Sequence, residues 1–206
     1  AHEKNPNDLD LAARLAEANL RQSRAEALKL AKRVLAEKPK HPRASYVLAR
    51  LAILGGDLDK ARSLLEAAVD RANPDPKVVR ALGKMEYDAG ELKKAADLFE
   101  LGRKAEPYDS EWLTLLVRVY GRLENREKQI GALKDLVKGD ADDLESRKRL
   151  ARLLAASGKH GEAEQYARAA LEIDVTDREA RESLYKALEE QKKDAELARV
   201  KKLLEK

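Results

Sequence analysis

A basic residue recurs along this chain at a fixed interval of 34 residues, each time two residues after a leucine. The five residues of this cation row are Arg50, Lys84, Arg118, Arg152 and Lys186. Arginine and lysine side chains bind carboxylates and phosphates, and arginine grips a carboxylate through two parallel hydrogen bonds. A row of cations along one face also attracts an anion over a distance. The spacing therefore predicts a surface that binds an acidic partner.

The cation row has a second interpretation that requires no partner. Copied repeats inherit the same residue, and each cation could pair with a carboxylate on a neighbouring helix. The acidic residues placed to do this are Glu86, Asp88, Glu145 and Glu179. The row would then be an ordinary solvated face, and the sequence leaves both interpretations open.

Residues that could support catalysis are few and scattered. The three histidines are His2, His41 and His160. His160 and Glu164 stand one helical turn apart, a spacing that can hold a metal, but no third ligand is near, so we interpret them as an exposed surface pair. The glycines at 55–56 and 158 lack the spacing of a phosphate loop, and no G-x-S-x-G motif is present. We expect no catalysis, metal or cofactor in this segment.

The composition narrows the class of partner. The 42 basic and 38 acidic residues leave a net charge of only +4, whereas nucleic-acid-binding domains usually show a larger and more clustered excess. The chain has no cysteine, which excludes disulfides and thiolate metal sites. We find no signal-peptide pattern and no apolar run of about 18 residues that could span a membrane. Because the chain begins at Ala1 and its only methionine is Met85, we expect a piece cut from a longer protein or, as the alternative, a processed product.

The elements that carry the row are predicted to be helices. Charged residues make up 39% of the chain and aromatic residues 4%, and the apolar residues fall in a helical period. The row's leucines are Leu48, Leu82, Leu116, Leu150 and Leu184. We interpret them as core residues, each costing about 2–5 kcal/mol if replaced by alanine. Short polar residues recur at the same interval before the first helix of each unit, where they would cap free backbone N–H groups. They are His41, Asp75, Asp109, Asp143 and Asp177.

One unit shows the full pattern of small and large residues. The residues that form this pattern are Leu82, Gly83, Gly90, Ala95, Phe99, Gly102 and Pro107. On these residues the chain resembles the tetratricopeptide repeat (TPR) family, in a bacterial-type array. The resemblance implies an all-α fold, a right-handed α-solenoid of about twelve helices in antiparallel pairs, with a TPR-like superhelix. We expect residues 1–7 to be a linker or the edge of the expressed segment, and residues 8–206 to be one solenoid. Its repeats would span about 8–41, 42–75, 76–109, 110–143, 144–177 and a capping unit at 178–206.

The resemblance also implies a function. In this family the first helices of the repeats line a concave groove that holds another protein, so we expect an interaction scaffold that binds an extended, acidic segment. The predicted groove residues are Tyr46, Arg50, Arg80, Lys84, Tyr87, Arg118, Arg122, Lys148, Arg152 and Lys186. One family mode clamps a C-terminal carboxylate with Lys and Asn. Lys148 and Arg149 partly match that clamp, but no Asn stands at the required position.

Two alternatives stay open. The chain could be an accessory module that positions a substrate within a larger bacterial enzyme or secretion component, or it could bind RNA along the cation row. The modest net charge and the lack of a stacking set of aromatics do not favour RNA. We expect Trp112 and Tyr120 to pack between repeats and not to contact a partner.

Overall fold

A computed structural model describes residues 8–204 of the chain, and the predicted linker at residues 1–7 lies outside them. The described residues form twelve α-helices. The first six helices in chain order are α1 (Leu9–Ala18), α2 (Arg24–Glu37), α3 (Pro42–Leu54), α4 (Leu58–Ala68), α5 (Pro76–Asp88) and α6 (Leu92–Ala105). The other six are α7 (Ser110–Arg122), α8 (Arg126–Gly139), α9 (Leu144–Ala155), α10 (His160–Ile173), α11 (Arg178–Glu190) and α12 (Asp194–Leu204). Short turns join them into six antiparallel hairpins, which confirms the predicted all-α helical repeat fold.

The hairpins fall into two compact units, one ending at Asp109 and the other beginning at Ser110. Within the first unit α3 packs on α1, α2 and α5, and α5 also packs on α4. Within the second unit α9 packs on α8 and α11, and α11 also packs on α10. In each unit, therefore, a first helix of one hairpin contacts both helices of a neighbouring hairpin.

The repeated leucines lie in the core of the units, as the sequence predicts. Leu116 and Leu150 are fully buried, and Leu82 and Leu184 are 4% exposed. Leu48 differs, since it is only half-buried in the described structure. Trp112 and Tyr120 are also buried, as expected of side chains that pack inside the protein.

The predicted caps precede the first helices. The side chain of Asp143 accepts a hydrogen bond from the Ser146 backbone N–H at 2.9 Å, and that of Asp177 accepts one from Ala180 at 2.8 Å. Asp75 and His41 cap α5 and α3 in the same way. Each bond satisfies a backbone donor that the first helical turn leaves free, and is worth about 1 kcal/mol.

The turns inside the hairpins share one backbone conformation at the same 34-residue interval. Gly56, Gly90 and Gly158 have φ values of +80°, +83° and +73°. Glu124 and Lys192 occupy the equivalent places with φ values of 55° and 56°. The left-handed region costs a residue with a Cβ about 1–2 kcal/mol, so these two turns carry strain that the glycine turns avoid.

Two helices end earlier than the sequence predicts. We expect α1 to reach Arg21 and α4 to reach residue 71, but they end at Ala18 and Ala68. At the first end the Asn19 side chain donates to the Leu15 carbonyl at 2.9 Å. At the second, Asp70 accepts from the backbone N–H of residue 72 at 2.9 Å and so forms a turn. At the second end the side chain replaces a backbone acceptor that a longer helix would have supplied, whereas at the first end the Leu15 carbonyl also keeps its bond from the Asn19 backbone N–H at 3.0 Å.

A glycine allows the third hairpin to close. A Cβ on Gly83 of α5 would lie only 2.5 Å from the Cε1 atom of Phe99 on α6. The Phe99 ring therefore occupies the space that a larger residue would need. None of the described helices combines the length and the apolar character required to cross a membrane.

Candidate partner-binding surface

The cation row lies on the first helices of the second to sixth hairpins, and all five of its residues are exposed. Arg50 on α3 and Lys84 on α5 belong to the first unit. Arg118 on α7, Arg152 on α9 and Lys186 on α11 belong to the second unit. Within each unit, therefore, repeated helices present a cation to solvent at the same register.

Two other predicted groove residues are held by carboxylates of the chain itself. Arg80 Nη2 lies 3.2 Å from Glu106 and 2.5 Å from Asp109. Lys148 Nζ lies 3.0 Å from Asp177. In both cases the cation pairs with the acidic residue 29 positions later, just before the next first helix. These ion pairs tie each of the two repeats to the segment that follows it.

Lys148 is the more deeply held of the two cations. It is 7% exposed, and its Nζ also lies 2.7 Å from Glu145 and 3.4 Å from Glu179. Hydrogen bonds to Glu145 and Asp177 raise the pKa of Lys148 above its ordinary value, more than offsetting burial. Its charge is therefore already neutralised by the protein.

Three arginines gather between α7 and α9, and we call Arg118, Arg149 and Arg152 the arginine cluster. The Nη2 atom of Arg149 lies 3.4 Å from where a Cβ would stand on Gly121 of α7, so its guanidinium reaches across to that helix. Burial lowers the pKa of Arg149, and repulsion from Arg152 and Arg118 lowers it further. Like charges are thus crowded together here.

The cluster is only partly neutralised. Arg152 pairs with Glu179 of α11. Arg118 and Arg149 form no ion pair with any residue in the described part of the chain. Because a half-buried guanidinium beside two others is costly without an anion, this arrangement favours an anionic ligand.

A cavity of about 740 Å³ adjoins the row between α9 and α11. Arg152 and Lys186 line it together with glutamates on α11. Those glutamates are Glu179, Glu182, Glu189 and Glu190. The α11 end of the row is therefore mixed in charge.

The remaining predicted groove residues surround these features. Tyr46 on α3 and Tyr87 on α5 are half-buried in the first unit, and Arg122 is exposed at the end of α7. Lys84, Tyr87 and Arg122 each interact with other residues of the chain. The structure thus brings Arg118 and Arg152 together, and gives Arg80 and Lys148 partners of their own.

The predicted surface pair of His160 and Glu164 is wrong in one respect, because Glu164 is buried. It accepts hydrogen bonds from Arg168 at 2.9 Å, Gln191 at 2.9 Å and Lys193 at 2.6 Å. Burial raises the pKa of Glu164, but these bonds lower it more, and the net shift is downward. Glu164 therefore anchors the last hairpin onto α10. Among the described residues, no three metal-binding side chains come together.

Arg149 is not among the predicted groove residues, although its position in the sequence is close to them and it partly matches the carboxylate clamp. A Cβ on Gly121 would lie 2.7 Å from Gln129 Nε2 and would displace that side chain, whereas Arg149 Nη2 would be in ordinary van der Waals contact with it. The Gln129 amide in turn donates to the Val117 carbonyl at 3.1 Å. A glycine within helix α7 was the available signal, because a helical glycine often marks a close approach.

Exposed, regularly spaced charges on the first helices of an all-α repeat are typical of helical-repeat interaction scaffolds. Sequence models described as tetratricopeptide repeat match residues 20–85 and 56–119, and a related one matches residues 114–177. The chain therefore belongs to the tetratricopeptide repeat family, whose partners are proteins or peptides. A comparison with curated protein sequences gave no match.

Solved structures with this fold include two proteins that the chain resembles along most of its length. MamA from AMB-1 is 19% identical with a TM-score of 0.63, covering 78% of this chain and 88% of MamA. YrrB, described as a TPR protein with an unusual peptide-binding site, is 18% identical with a TM-score of 0.64, covering 84% of this chain and 90% of YrrB. These likenesses establish the fold.

Proposed function

We propose that this chain is a protein-interaction scaffold that binds an acidic segment of a partner protein on the arginine cluster. The observation that carries the proposal is the crowding of Arg118, Arg149 and Arg152 with a carboxylate on only one of them. A glutamate or aspartate side chain, or a terminal carboxylate, would relieve the repulsion and form charge-assisted hydrogen bonds.

The proposal extends along the cation row within the second unit and includes Arg122 and Lys186 as outer contacts. Arg118 and Lys186 are exposed, so the ligand's carboxylates can reach them without displacing an ion pair of the described residues. In the first unit Arg50, Lys84, Tyr46 and Tyr87 form the corresponding surface. We give Arg80 and Lys148 the different role of holding successive repeats together.

The test is binding of an array of acidic peptides to the full chain, followed by fluorescence anisotropy on the strongest binders. The double variant Arg118→Glu with Arg152→Glu should weaken binding by about tenfold or more, because two attractive contacts become repulsive. Affinity should also fall as salt is added, since exposed charges are screened.

The matched control is Arg126→Glu with Arg199→Glu. Both residues are exposed on second helices of the same unit, so the net charge changes equally while the cluster is untouched. We expect the control to bind within about twofold of the parent protein, because distant surface charges are screened. If the control weakens binding as much as the cluster variant does, general electrostatics explains the affinity and the proposal is wrong.

A further inference from the structure

A second surface lies in the first unit, where the first two hairpins meet. A cavity of about 390 Å³ opens between α2, α3 and the start of α4. Its apolar wall consists of Ala25, Leu28, Leu48, Leu51 and Ala52. Leu28 is 39% exposed although its side chain is fully apolar. The wall of this cavity is therefore apolar surface that is exposed to solvent beside the core.

The cavity exists because one inter-repeat junction is underfilled. The positions 34 residues after Leu28 and Ala52 hold Arg62 and Glu86. The side chains of these two residues form a 3.0 Å ion pair between α4 and α5. At the junction of α8 and α9 the equivalent residues, Ile130 and Leu154, are buried. Among the first helices that follow another hairpin, α3 has the smallest residue at this position, Ala52, so at this junction the space stays open.

The rim of the cavity is basic. Arg24, Lys32 and Lys60 line it, and none of them forms an ion pair with a residue in the described range. The single acidic residue on the rim, Asp57, is engaged in capping α4, where it accepts from the Lys60 backbone N–H at 3.1 Å. Three cations against one carboxylate leave the rim net positive around an apolar floor, which complements a ligand that is apolar at its centre and acidic at its flanks.

We propose that this cavity docks a segment of a partner protein that carries a large apolar side chain flanked by carboxylates. Leu54 and Leu58 border the same turn and are 53% and 57% exposed, so the apolar surface continues beyond what one side chain covers. This continuity favours a peptide segment over a small molecule. Leucine and phenylalanine are the side chains suited to the apolar floor, and aspartate or glutamate would face the rim.

The probe is a random peptide library displayed on phage and selected on the full chain. Peptides that also bind the Ala52→Leu variant are removed by counter-selection. Leucine stands at the equivalent positions 154 and 188, where it is fully buried, so the variant should fold and its added side chain should fill the cavity. The surviving sequences should combine an apolar residue with neighbouring Asp or Glu.

The leading peptide is then labelled with fluorescein and titrated against variants of the full chain. Ala52→Leu should weaken binding by about tenfold or more, because the apolar side chain loses its buried site. Lys32→Glu with Lys60→Glu should weaken it several-fold at low salt. Ala36→Leu, on an exposed part of α2, and Lys93→Glu with Lys104→Glu, on α6, are the matched controls and should leave affinity unchanged.

Several results would overturn the proposal. One is a selection in which no peptide survives the counter-selection, or in which the survivors lack acidic residues. Another is a peptide whose binding is abolished by Arg118→Glu with Arg152→Glu, because it would then bind the arginine cluster. A concentration-dependent dimer in sedimentation that Ala52→Leu dissociates would assign the cavity to a second copy of this chain. Different variants therefore test the proposal for the arginine cluster and the proposal for the cavity.

Discussion

Replacing Lys148 by methionine should destabilise the second unit by about 2–3 kcal/mol. The Lys148 and Asp177 side chains are 9% and 15% exposed, so the variant would leave the Asp177 carboxylate largely buried without a cation. Breaking such a pair typically costs about 3–5 kcal/mol. We use a smaller value because Asp177 keeps its 2.8 Å bond from the Ala180 N–H, and Glu145 reaches water easily.

The assay is urea unfolding followed by circular dichroism at neutral pH. Arg80→Met is the matched control, since it breaks the equivalent ion pairs to Glu106 and Asp109, whose side chains are 41% and 36% exposed. Exposed pairs contribute about 1 kcal/mol or less, so the control should cost clearly less. Adding Asp177→Asn to Lys148→Met should restore part of the loss, because the unpaired charge is removed.

The pH dependence gives a second readout of the same ion pair. Burial raises the pKa of Asp177, but the Ala180 N–H and Lys148 lower it more, and the net shift is downward. The stabilisation is therefore present above the ordinary aspartate pKa and is lost as the pH falls through the lowered value. The pKa of Lys148 is raised, so its contribution is complete at neutral pH and is lost only in strong alkali. If Lys148→Met lowers the free energy of unfolding no more than Arg80→Met does, the ion pairs of Lys148 stabilise the protein no more than exposed ones. Our assignment of a structural role to Lys148 is then refuted.

Three further predictions concern the fold and its last hairpin. Glu124→Gly should stabilise the protein by about 0.5–1 kcal/mol in thermal unfolding, because glycine removes the strain of its positive φ; no gain in Tm would contradict this. Gly83→Ala should cost about 1–3 kcal/mol by forcing the Phe99 ring aside, and a neutral result would show that the ring moves freely. Glu164→Gln should cost about 1–2 kcal/mol of stability at pH 7, with faster amide exchange in α12 as the expected sign. The loss should be small in acid, because the parent carboxylate is itself protonated once the pH falls through its lowered pKa. Equal losses at both pH values would contradict this prediction.

The helical repeat could be predicted from the sequence because packing imposes it in every copy. The leucine column and the acidic caps depend on contacts that each hairpin repeats, so their 34-residue interval carries the fold. The helix end at Ala68 was missed because a single side chain, Asp70, forms a turn there. Such a local turn leaves no periodic signal.

The candidate site was less predictable because charge alone does not tell a binding cation from a structural one. Arg80 and Lys148 occupy the same register, and only the structure shows that acidic residues 29 positions later hold them. Exposure of the cation row follows from the period, but the approach of Arg149 to Gly121 of α7 is a feature of one repeat. The cavity at Ala52 likewise depends on one small residue where the later repeats have larger ones.

The most direct test of the proposed function is to observe the arginine side chains themselves. We would record ¹H–¹⁵N spectra of the Nε–H groups of the full chain while adding an oligoglutamate peptide, with assignments from single Arg→Lys variants. We predict that the resonances of Arg118, Arg149 and Arg152 shift together and saturably, while that of Arg126 stays in place. Equal shifts at Arg126, or no shift at the arginine cluster, would contradict the proposal that this cluster binds an acidic segment.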